Sequence, residues 1–310
     1  LALMALLAFS FSLKAQQYVS TQPSNRNVII EEFTGRNCGY CPDGHRIANQ
    51  IMAAHPGRAW AVNIHAGGFS PTSYPNLNTT DGTAINNGFG ISAYPNGVIN
   101  RTTGSGVSRS QWTSMSETQL AEAAEVNLAG VAVIDPATRI ASITVEVYYT
   151  ANSNESTNYL TVVMLQDSIL GSQSGGSTYN PQQMIGGQYV HMHTLRDVIT
   201  PTWGETVSPT TAGSLVTKTY TYEIPESIGS PNGVEVDINN VTFMAWVTEK
   251  YQGTPTRPIL NACELLTTQG SSDYFRVTTS SNPTAGGNTT GTGWYEPGSS
   301  CTVTATANSS

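Results

Sequence analysis

The chain has 310 residues, of which only 11% are charged, and its formal net charge at neutral pH is −8. Soluble domains usually carry about 25% charged residues; here Ser, Thr, Asn and Gly take their place, which is typical of exported, β-rich proteins. Nucleic acid is excluded as a partner, because neutralising phosphates needs clustered Lys and Arg and the only lysines are Lys14, Lys218 and Lys250. The length suits two domains and part of a third.

The first predicted element is an apolar run over residues 1–13, followed by Lys14 and Ala15. It is too short for a membrane-spanning helix, which takes about 20 residues. The run is typical of a secretory signal, with Ala15 as the residue before cleavage, and the alternative is a buried N-terminal helix. We therefore expect a partial signal peptide over residues 1–15 and a polar linker over residues 16–25, and no later stretch predicts a transmembrane span.

Residues 26–126 alternate between strand and helix patterns. A buried strand at 27–33, a helix at 42–54 and a second strand at 59–65 predict a right-handed parallel βαβ unit. Further predicted elements are a weak helix near 83–87, a strand at 98–101 and a helix at 109–125. This order predicts one α/β domain over residues 26–126.

Residues 127–268 have almost no helical pattern. Within 241–248, Val241, Phe243 and every second residue after them share one face, and the residues between them share the other. Several strands with polar turns predict an immunoglobulin-like β-sandwich, interrupted by an insertion at 168–213. The predicted strands are 131–134, 140–149, 159–166, 188–193, 215–224, 241–248 and 259–265.

The C-terminal residues 269–310 are rich in Ser, Thr and Gly and show short β patterns. They predict either a truncated β repeat or a disordered tail.

The chain contains four cysteines, Cys38, Cys41, Cys263 and Cys301. An exported protein meets an oxidising compartment, where cysteines tend to pair. Cys38 and Cys41 are close enough in sequence to pair with each other. Cys263 and Cys301 lie in different predicted domains, so each is expected to be a small buried hydrophobic residue.

The segment from Cys38 to Cys41 lies between a predicted buried strand and the start of a predicted helix. At a helix N-terminus, unpaired backbone N–H groups and the positive end of the helix dipole favour a thiolate, so Cys38 is the candidate nucleophile. Cys41 lies one turn further along the same face, where it can resolve a mixed disulfide formed at Cys38.

These residues resemble the thioredoxin superfamily. Glu32 stands six residues before Cys38, where the superfamily has a buried acid that exchanges protons with the second cysteine. The pair Tyr94-Pro95 matches the cis-proline loop that faces the disulfide, and Pro95 is expected to orient the backbone of the partner. One departure is Asn37, which stands where the superfamily usually has Trp.

A wider pattern over residues 25–266 resembles the outer-membrane protein family of about twenty-eight kilodaltons, the Omp28-type proteins of Bacteroidota. That family implies a thioredoxin-like domain followed by a β-sandwich and has no firmly assigned reaction. The tail, with the segments 294–298 and 301–305, resembles the first half of a divergent internalin-type B repeat. The segments that carry the family resemblance are 31–42, 63–67, 94–97 and 189–196.

Weaker signals come from the histidines. His191 and His193 share one face of a predicted strand, and we expect them to face solvent or pack on a loop rather than to bind a metal. His45 is expected to face solvent, with a position near the thiols as the alternative, and His65 is expected to end the second strand outside the site rather than to border it. Phe69, Tyr74 and the loop 66–88 are expected to form a lip above the cis-proline. No motif predicts a nucleotide, a metal or any other cofactor.

The preferred function is therefore thiol–disulfide exchange on exported or surface proteins, whose thiols or disulfides are the expected partners. Cys38 attacks, Cys41 resolves, Glu32 relays protons and Pro95 orients the partner. The alternative is a cell-surface binding or adhesion protein that uses an inactive thioredoxin-like scaffold with a structural disulfide. The expected location is the periplasm, the outer membrane or the cell surface, and the pattern indicates neither the redox direction nor the oligomeric state.

Overall fold

The computed structural model describes residues 17–249 and 257–270, together with residues 275–277, 279, 287–291, 293–295 and 300–307. The predicted signal peptide at 1–15 lies outside the described residues, as does part of the predicted repeat at 269–310.

The described chain is a mixed α/β fold that consists mostly of strands. Its helices are α1 (Cys41–Ala54), α2 (Thr80–Gly88), α3 (Trp112–Ala121) and α4 (Gly176–Tyr179), with 3₁₀ turns at Gly67–Phe69, Arg109–Gln111 and Pro181–Gln183. The strands are β1 (Val28–Thr34), β2 (Ala59–His65), β3 (Asn96–Ile99), β4 (Val126–Asp135), β5 (Ile140–Tyr149), β6 (Asn158–Gln166), β7 (Ile169–Gly171), β8 (Met184–Ile185), β9 (Gln188–His191), β10 (Thr194–Val198), β11 (Glu205–Val207), β12 (Leu215–Glu223), β13 (Ser227–Ile228), β14 (Val234–Glu235), β15 (Val241–Thr248), β16 (Ile259–Glu264), β17 (Leu266–Gln269), β18 (Phe275–Val277), β19 (Gly287–Thr290), β20 (Gly293–Tyr295) and β21 (Thr304–Ala307).

A central sheet runs through most of the described chain in the order β16-β15-β6-β10-β2-β1-β3, with β11 paired to β6. Strand β1 is parallel to β2 and antiparallel to β3, and α1 connects β1 to β2, so the predicted βαβ unit is present. Strand β10 joins β2 to β6. Strands from both sides of residue 126 therefore share one sheet, and a domain boundary at that residue stays a prediction.

A second sheet, in the order β12-β5-β4-β17, packs against the β6–β15–β16 half of the central sheet. Its core includes Val145 of β5, Val162 of β6 and Phe243 of β15, all of them buried. The predicted alternation along β15 is confirmed, since Phe243 lies in this core and Met244 and Trp246 lie in the core on the opposite face. Both faces of β15 are therefore covered.

Helices cover both faces of the β1–β3 region. Helices α1 and α3 bury Ile51 and Trp112 against Ile30 on one face. On the other face, Ile85 of α2 packs in the core that contains Phe33. Since side chains alternate along a strand, successive residues of β1 enter two different environments.

Residues 17–25, which belong to the predicted linker, are bound to the second sheet. The buried carboxylate of Glu146 on β5 accepts the backbone N–H groups of Gln17 at 2.8 Å, Tyr18 at 2.7 Å and Val19 at 3.0 Å. A buried carboxylate requires hydrogen-bond partners, and these three backbone donors supply them.

Candidate functional site

The disulfide between Cys38 and Cys41 lies at the start of α1, as its position in the sequence predicts, with its two Cα atoms 5.4 Å apart. Cys41 is the first residue of the helix and Pro42 follows in its first turn. Proline is well suited to this turn, because the first backbone N–H groups of a helix have no partner within the helix.

Glu32 is fully buried on β1, below the first turn of α1. A Cβ atom at Gly44, three residues after Cys41, would collide with the Glu32 carboxyl, so only glycine allows this approach. Neither carboxyl oxygen has a hydrogen-bond partner among the described residues. Burial raises the pKa of Glu32 well above its usual value, while Arg109 opposes this shift and Asp43 adds to it. The shift favours the protonated form of the carboxyl.

The Tyr94–Pro95 peptide bond is cis, as the resemblance implies. A Cβ atom at Gly44 would lie 3.1 Å from Pro95, so this proline and Glu32 approach α1 at the same residue. The Tyr94 hydroxyl donates to Asn86 at 2.7 Å, and its ring lies 5.9 Å from that of Phe69. Of the four predicted site residues, the structure thus gathers Cys41, Glu32 and Pro95 around the first turn of α1, with Cys38 bonded to Cys41.

His45 is buried and does not face solvent, so the sequence-based expectation is wrong. One ring nitrogen, Nε2, lies 3.0 Å from Thr34 Oγ1 and 3.7 Å from Glu32 Oε1, and Nδ1 lies 2.8 Å from the Tyr189 hydroxyl. Burial lowers the pKa of His45 to about 3, and His191 adds to the shift. The signal for burial was present, because His45 follows Cys41 by four residues and shares its helix face.

Four aromatic rings form a buried row beside α1. The ring of Tyr189 lies 5.6 Å from His45 and 5.2 Å from His191, and His191 lies 5.3 Å from His65. Burial lowers the pKa of His191 to about 3 and that of His65 well below its usual value. His193, in contrast, lies beyond the end of β9 with its side chain 27% exposed. His191 and His193 therefore do not share one face of a strand, contrary to the prediction from the sequence.

Residues 172–179, which we call the strap, cross the disulfide. The Gln173 side chain donates to the carbonyl oxygens of Cys38 at 2.9 Å and Gly35 at 3.2 Å, and the backbone N–H of Ser174 donates to Arg36. Gly175 has a φ of +73°, and a Cβ atom there would collide with the Gly39 carbonyl. As a result Cys38 is only 3% exposed and Cys41 is fully buried.

The side chain of Arg36 connects the strap to Ser73. Its guanidinium donates to the Ser172 hydroxyl at 2.6 Å and to the carbonyl of Ser73 at 2.7 Å. At the other end of the strap, the ring of Tyr179 lies 5.3 Å from that of Tyr40, which is itself exposed. The cover over the disulfide is therefore attached at both ends.

The two remaining cysteines are not paired. Cys263 is buried, and burial raises its pKa to about 12, as for an inert hydrophobic residue. Cys301 is partly exposed. Within the part of the chain that the structure describes, no three His, Cys, Asp or Glu side chains are grouped to hold a metal ion.

Comparison with known proteins agrees with the sequence pattern. The family model described as outer membrane protein Omp28 matches residues 82–254, which is more than half of the chain. The chain belongs to the Omp28 family. The expected exported location, in the periplasm, the outer membrane or the cell surface, is confirmed by this family. None of the helices among the described residues has the length and apolar composition of a membrane span.

Among solved structures, the fold is similar to that of HBP35 of Porphyromonas gingivalis, with a TM-score of 0.61 and 18% identity over 89% of this chain and 87% of the other. A domain of the outer membrane lipoprotein Omp28 from Porphyromonas gingivalis matches at a TM-score of 0.31 and 16% identity, over 48% of this chain and 92% of the domain. A search of the curated proteins finds no match.

Proposed function

We propose that this Omp28-family chain carries out thiol–disulfide exchange on exported or surface proteins, through Cys38 and Cys41. In this proposal residues 26–126 are a thioredoxin-like module and residues 127–268 an immunoglobulin-like sandwich. The parallel β1–α1–β2 unit and the position of the disulfide at the start of α1 support the module.

The observation that carries the proposal is the buried Glu32 carboxyl, which has no hydrogen-bond partner in the described part of the chain. A buried polar group that lacks its hydrogen bonds destabilises a protein by about 1–3 kcal/mol. A disulfide that only stabilises the fold needs no such acid beneath its helix. Perturbed carboxyl groups in this kind of setting are typical of proton-transfer sites.

The exchange begins with the reduced protein. The Cys38 thiolate, stabilised by the N-terminus of α1, attacks a disulfide of the partner, and the first partner sulfur leaves as a thiolate that takes a proton from water. Cys41 then gives its proton to the Glu32 carboxylate, and its sulfur displaces the second partner thiolate from Cys38. The partner disulfide is thereby reduced to two thiols, while Cys38 and Cys41 are oxidised to their disulfide. The reverse sequence oxidises a partner dithiol.

The strap must move before a partner reaches Cys38, since the closed state leaves only 3% of this residue exposed. Its contacts with the site are mostly polar: the Gln173 side chain, one backbone hydrogen bond from Ser174, the Arg36–Ser172 hydrogen bond and the Tyr179–Tyr40 ring contact. Local opening of such a surface segment requires much less free energy than global unfolding. In this proposal the strap is closed at rest and opens for the partner.

The strap also favours a second candidate function. A disulfide that stays covered would be structural, and the chain would then act as a binding or adhesion protein whose thioredoxin-like part is a scaffold. The two functions differ in one property. The scaffold keeps its disulfide under mild reductant, whereas the enzyme exchanges it with a partner.

The test uses a Cys41→Ser variant in a Cys301→Ser background, so that Cys38 is the only reactive thiol apart from the buried Cys263. We expect it to trap a mixed disulfide with an unfolded disulfide-containing protein, and a Cys38→Ser variant to trap none. We also expect the Cys38 thiol to have a pKa well below about 8.5, the ordinary value. Absence of trapped product, together with an ordinary pKa, would establish the scaffold.

A further inference from the structure

The strap begins against the imidazole of His191. Strand β9, which ends at His191, pairs with β7, which ends at Gly171. A Cβ atom at Gly171 would lie 3.5 Å from Nε2 of His191. The next residue is Ser172, the first of the strap, and its backbone lies close enough to affect the charge of the imidazole. The strap and the buried row of aromatic rings are therefore in direct contact.

The strap also covers Tyr189, the ring that lies between His45 and His191 in this row. A Cβ atom at Gly176 would lie 2.8 Å from Cδ2 of Tyr189, so the backbone of the strap lies directly on the ring. Asn180, which follows the strap, donates to the Tyr189 hydroxyl at 3.1 Å. Opening of the strap therefore brings water to the row at Tyr189 and His191.

His191 is only 1% exposed while the strap is closed. A buried imidazole loses the hydration that stabilises its charged form. Burial lowers the pKa of His191 to about 3, although the backbone of Ser172 favours the charge. An imidazole that water can reach has the usual pKa of 6.5. The closed and open states therefore differ in their affinity for a proton.

We propose that protonation of His191 opens the strap, so that the disulfide is covered near neutral pH and becomes accessible under mildly acidic conditions. The open state takes up a proton from solvent that the closed state excludes, and a fall in pH therefore shifts the equilibrium toward the open state. The inference rests on the opening of the strap that the proposed function requires, and it does not depend on the exchange reaction itself.

The sign and the pH range of the effect follow from the two pKa values. The closed state is favoured most above the pKa of the open state, 6.5, and this advantage is lost as the pH falls toward about 3. From about pH 7.5 to about pH 5.5, the open fraction should rise about tenfold for one imidazole.

The groups around His191 keep it uncharged in the closed state. Arg36, which follows β1, opposes a positive charge on it. The Tyr189 hydroxyl on β9 stays protonated, because burial raises its pKa. Burial also lowers the pKa of His65 on β2 and of His45 on α1. These two imidazoles lie behind His191 and Tyr189 in the row, so His191 is the first that opening hydrates.

Glu32 would act in the opposite direction. Burial raises its pKa, so an opening that hydrated Glu32 would be favoured by rising pH. Its carboxyl is packed against α1 at Gly44, however, whereas the strap contacts residues 35–40 and Tyr189. The sign of the pH dependence therefore distinguishes His191 from Glu32.

The experiment measures how fast a water-soluble phosphine reduces the disulfide of the full chain at about pH 7.5 and about pH 5.5. Each rate is divided by the rate for oxidised glutathione in the same buffer, which removes the pH dependence of the reagent. We expect the normalised rate to rise about tenfold at the lower pH, because it follows the open fraction of the strap. A normalised rate that stays constant or falls would overturn the proposal, whether or not the protein exchanges disulfides with a partner.

His191→Gln identifies the titrating group, and His55→Gln is the matched control at the end of α1, outside the row. The compared quantity is the ratio of the rates at the two pH values within each variant, so a strap that is weaker at neutral pH does not affect it. We expect a ratio within about twofold in His191→Gln and about tenfold in His55→Gln, as in the wild type. A tenfold ratio in both variants would overturn the assignment to His191.

Deuterium exchange of the oxidised wild-type protein tests the opening without any variant and is decisive if His191→Gln does not fold. The backbone N–H groups of Ser174 and Tyr179 are hydrogen-bonded in the closed strap. After correction for the intrinsic pH dependence of exchange, we expect their protection to fall about tenfold from pH 7.5 to pH 5.5, while strand β1 keeps its protection. An equal loss of protection in β1 would show that acid unfolds the whole chain, and this result would overturn the local opening.

Discussion

Glu31 and Glu32 are neighbours on β1 and both are buried, yet they lie on opposite faces of the central sheet. Glu31 forms a two-point ion pair with the fully buried Arg101, at 2.7 Å and 2.6 Å. The guanidinium lies 5.5 Å from the ring of Trp246 and 5.3 Å from that of Trp203. Glu32, on the face of α1, has no hydrogen-bond partner among the described residues.

Glu31 and Glu32 illustrate two different roles of a buried carboxylic acid. On the Glu31 face, the guanidinium of Arg101 pairs with both oxygens of the carboxylate, and aromatic rings cover the guanidinium. On the Glu32 face, burial without a partner among the described residues favours the protonated carboxyl and leaves its oxygens available for proton transfer. An acid that contributes to packing and an acid that contributes to chemistry can therefore occupy consecutive residues.

The largest expected effect is on the Glu31 face. Arg101→Leu leaves Glu31 as an uncompensated buried charge, and we expect it to destabilise the protein by about 3–5 kcal/mol in urea denaturation. Glu32→Gln keeps the shape of the side chain and breaks no hydrogen bond among the described residues, so it should change stability by less than about 1 kcal/mol. Equal losses in the two variants would contradict the comparison.

The comparison extends to a third buried acid, Glu146, whose carboxylate accepts hydrogen bonds from backbone N–H groups. Glu146→Ala removes the acceptor for the N–H groups of residues 17–19, and we expect a loss of about 2 kcal/mol, measured by the same denaturation. Glu226→Ala is the control, since that residue is exposed on the surface. A loss no greater than that of the control would show that the segment at 17–25 does not contribute to stability.

The cover over the Glu32 face is tested by Gly175→Ala, which combines a left-handed backbone with a collision at the Gly39 carbonyl. We expect the disulfide to be reduced by dithiothreitol about tenfold faster, because a strap weakened by about 1.4 kcal/mol opens more often. Gly57→Ala is a matched control, since Gly57 has a φ of +72° but open space around a Cβ atom. Equal rates in both variants would mean that the strap does not limit access.

The smallest expected effect is a pH dependence of stability that belongs to Glu32. Its pKa is raised above the usual 4.5 in the folded protein. Between the pKa of the unfolded state, about 4.5, and the higher pKa of the folded state, the folded protein holds a proton that the unfolded protein has lost. The free energy of unfolding therefore falls as the pH rises through this range. Glu32→Gln should remove this fall, and its advantage over wild type should grow from about pH 4.5 upward in denaturation curves. An advantage that shrinks with rising pH would reverse the assignment.

Local patterns in the sequence predicted the elements around the site well. The helix predicted over 42–54 is observed at Cys41–Ala54, and the strand at 241–248 has the observed bounds. The pairing of Cys38 with Cys41 followed from their separation. The second face of β15 was not predicted to be buried, because the layer that covers it comes from remote parts of the chain.

His45 and the strap show where prediction failed. Helical spacing places His45 on the face of Cys41, but that face is closed by Tyr189, 144 residues further along the chain. The strap contacts residues 35–40 from a segment 135 or more residues away, as in the bond from Gln173 to Cys38. Neither segment has a composition that indicates what it covers.

The sequence by itself determined the order of elements near the N-terminus, the disulfide and the family of the protein, since each depends on residues close together in the chain or on a motif. Only the tertiary structure decided that the disulfide is covered, that Glu32 is buried without a partner and that an imidazole lies beside it. The physical reason is that burial, and with it the protonation of a carboxyl or an imidazole, depends on which distant segments exclude water from the site.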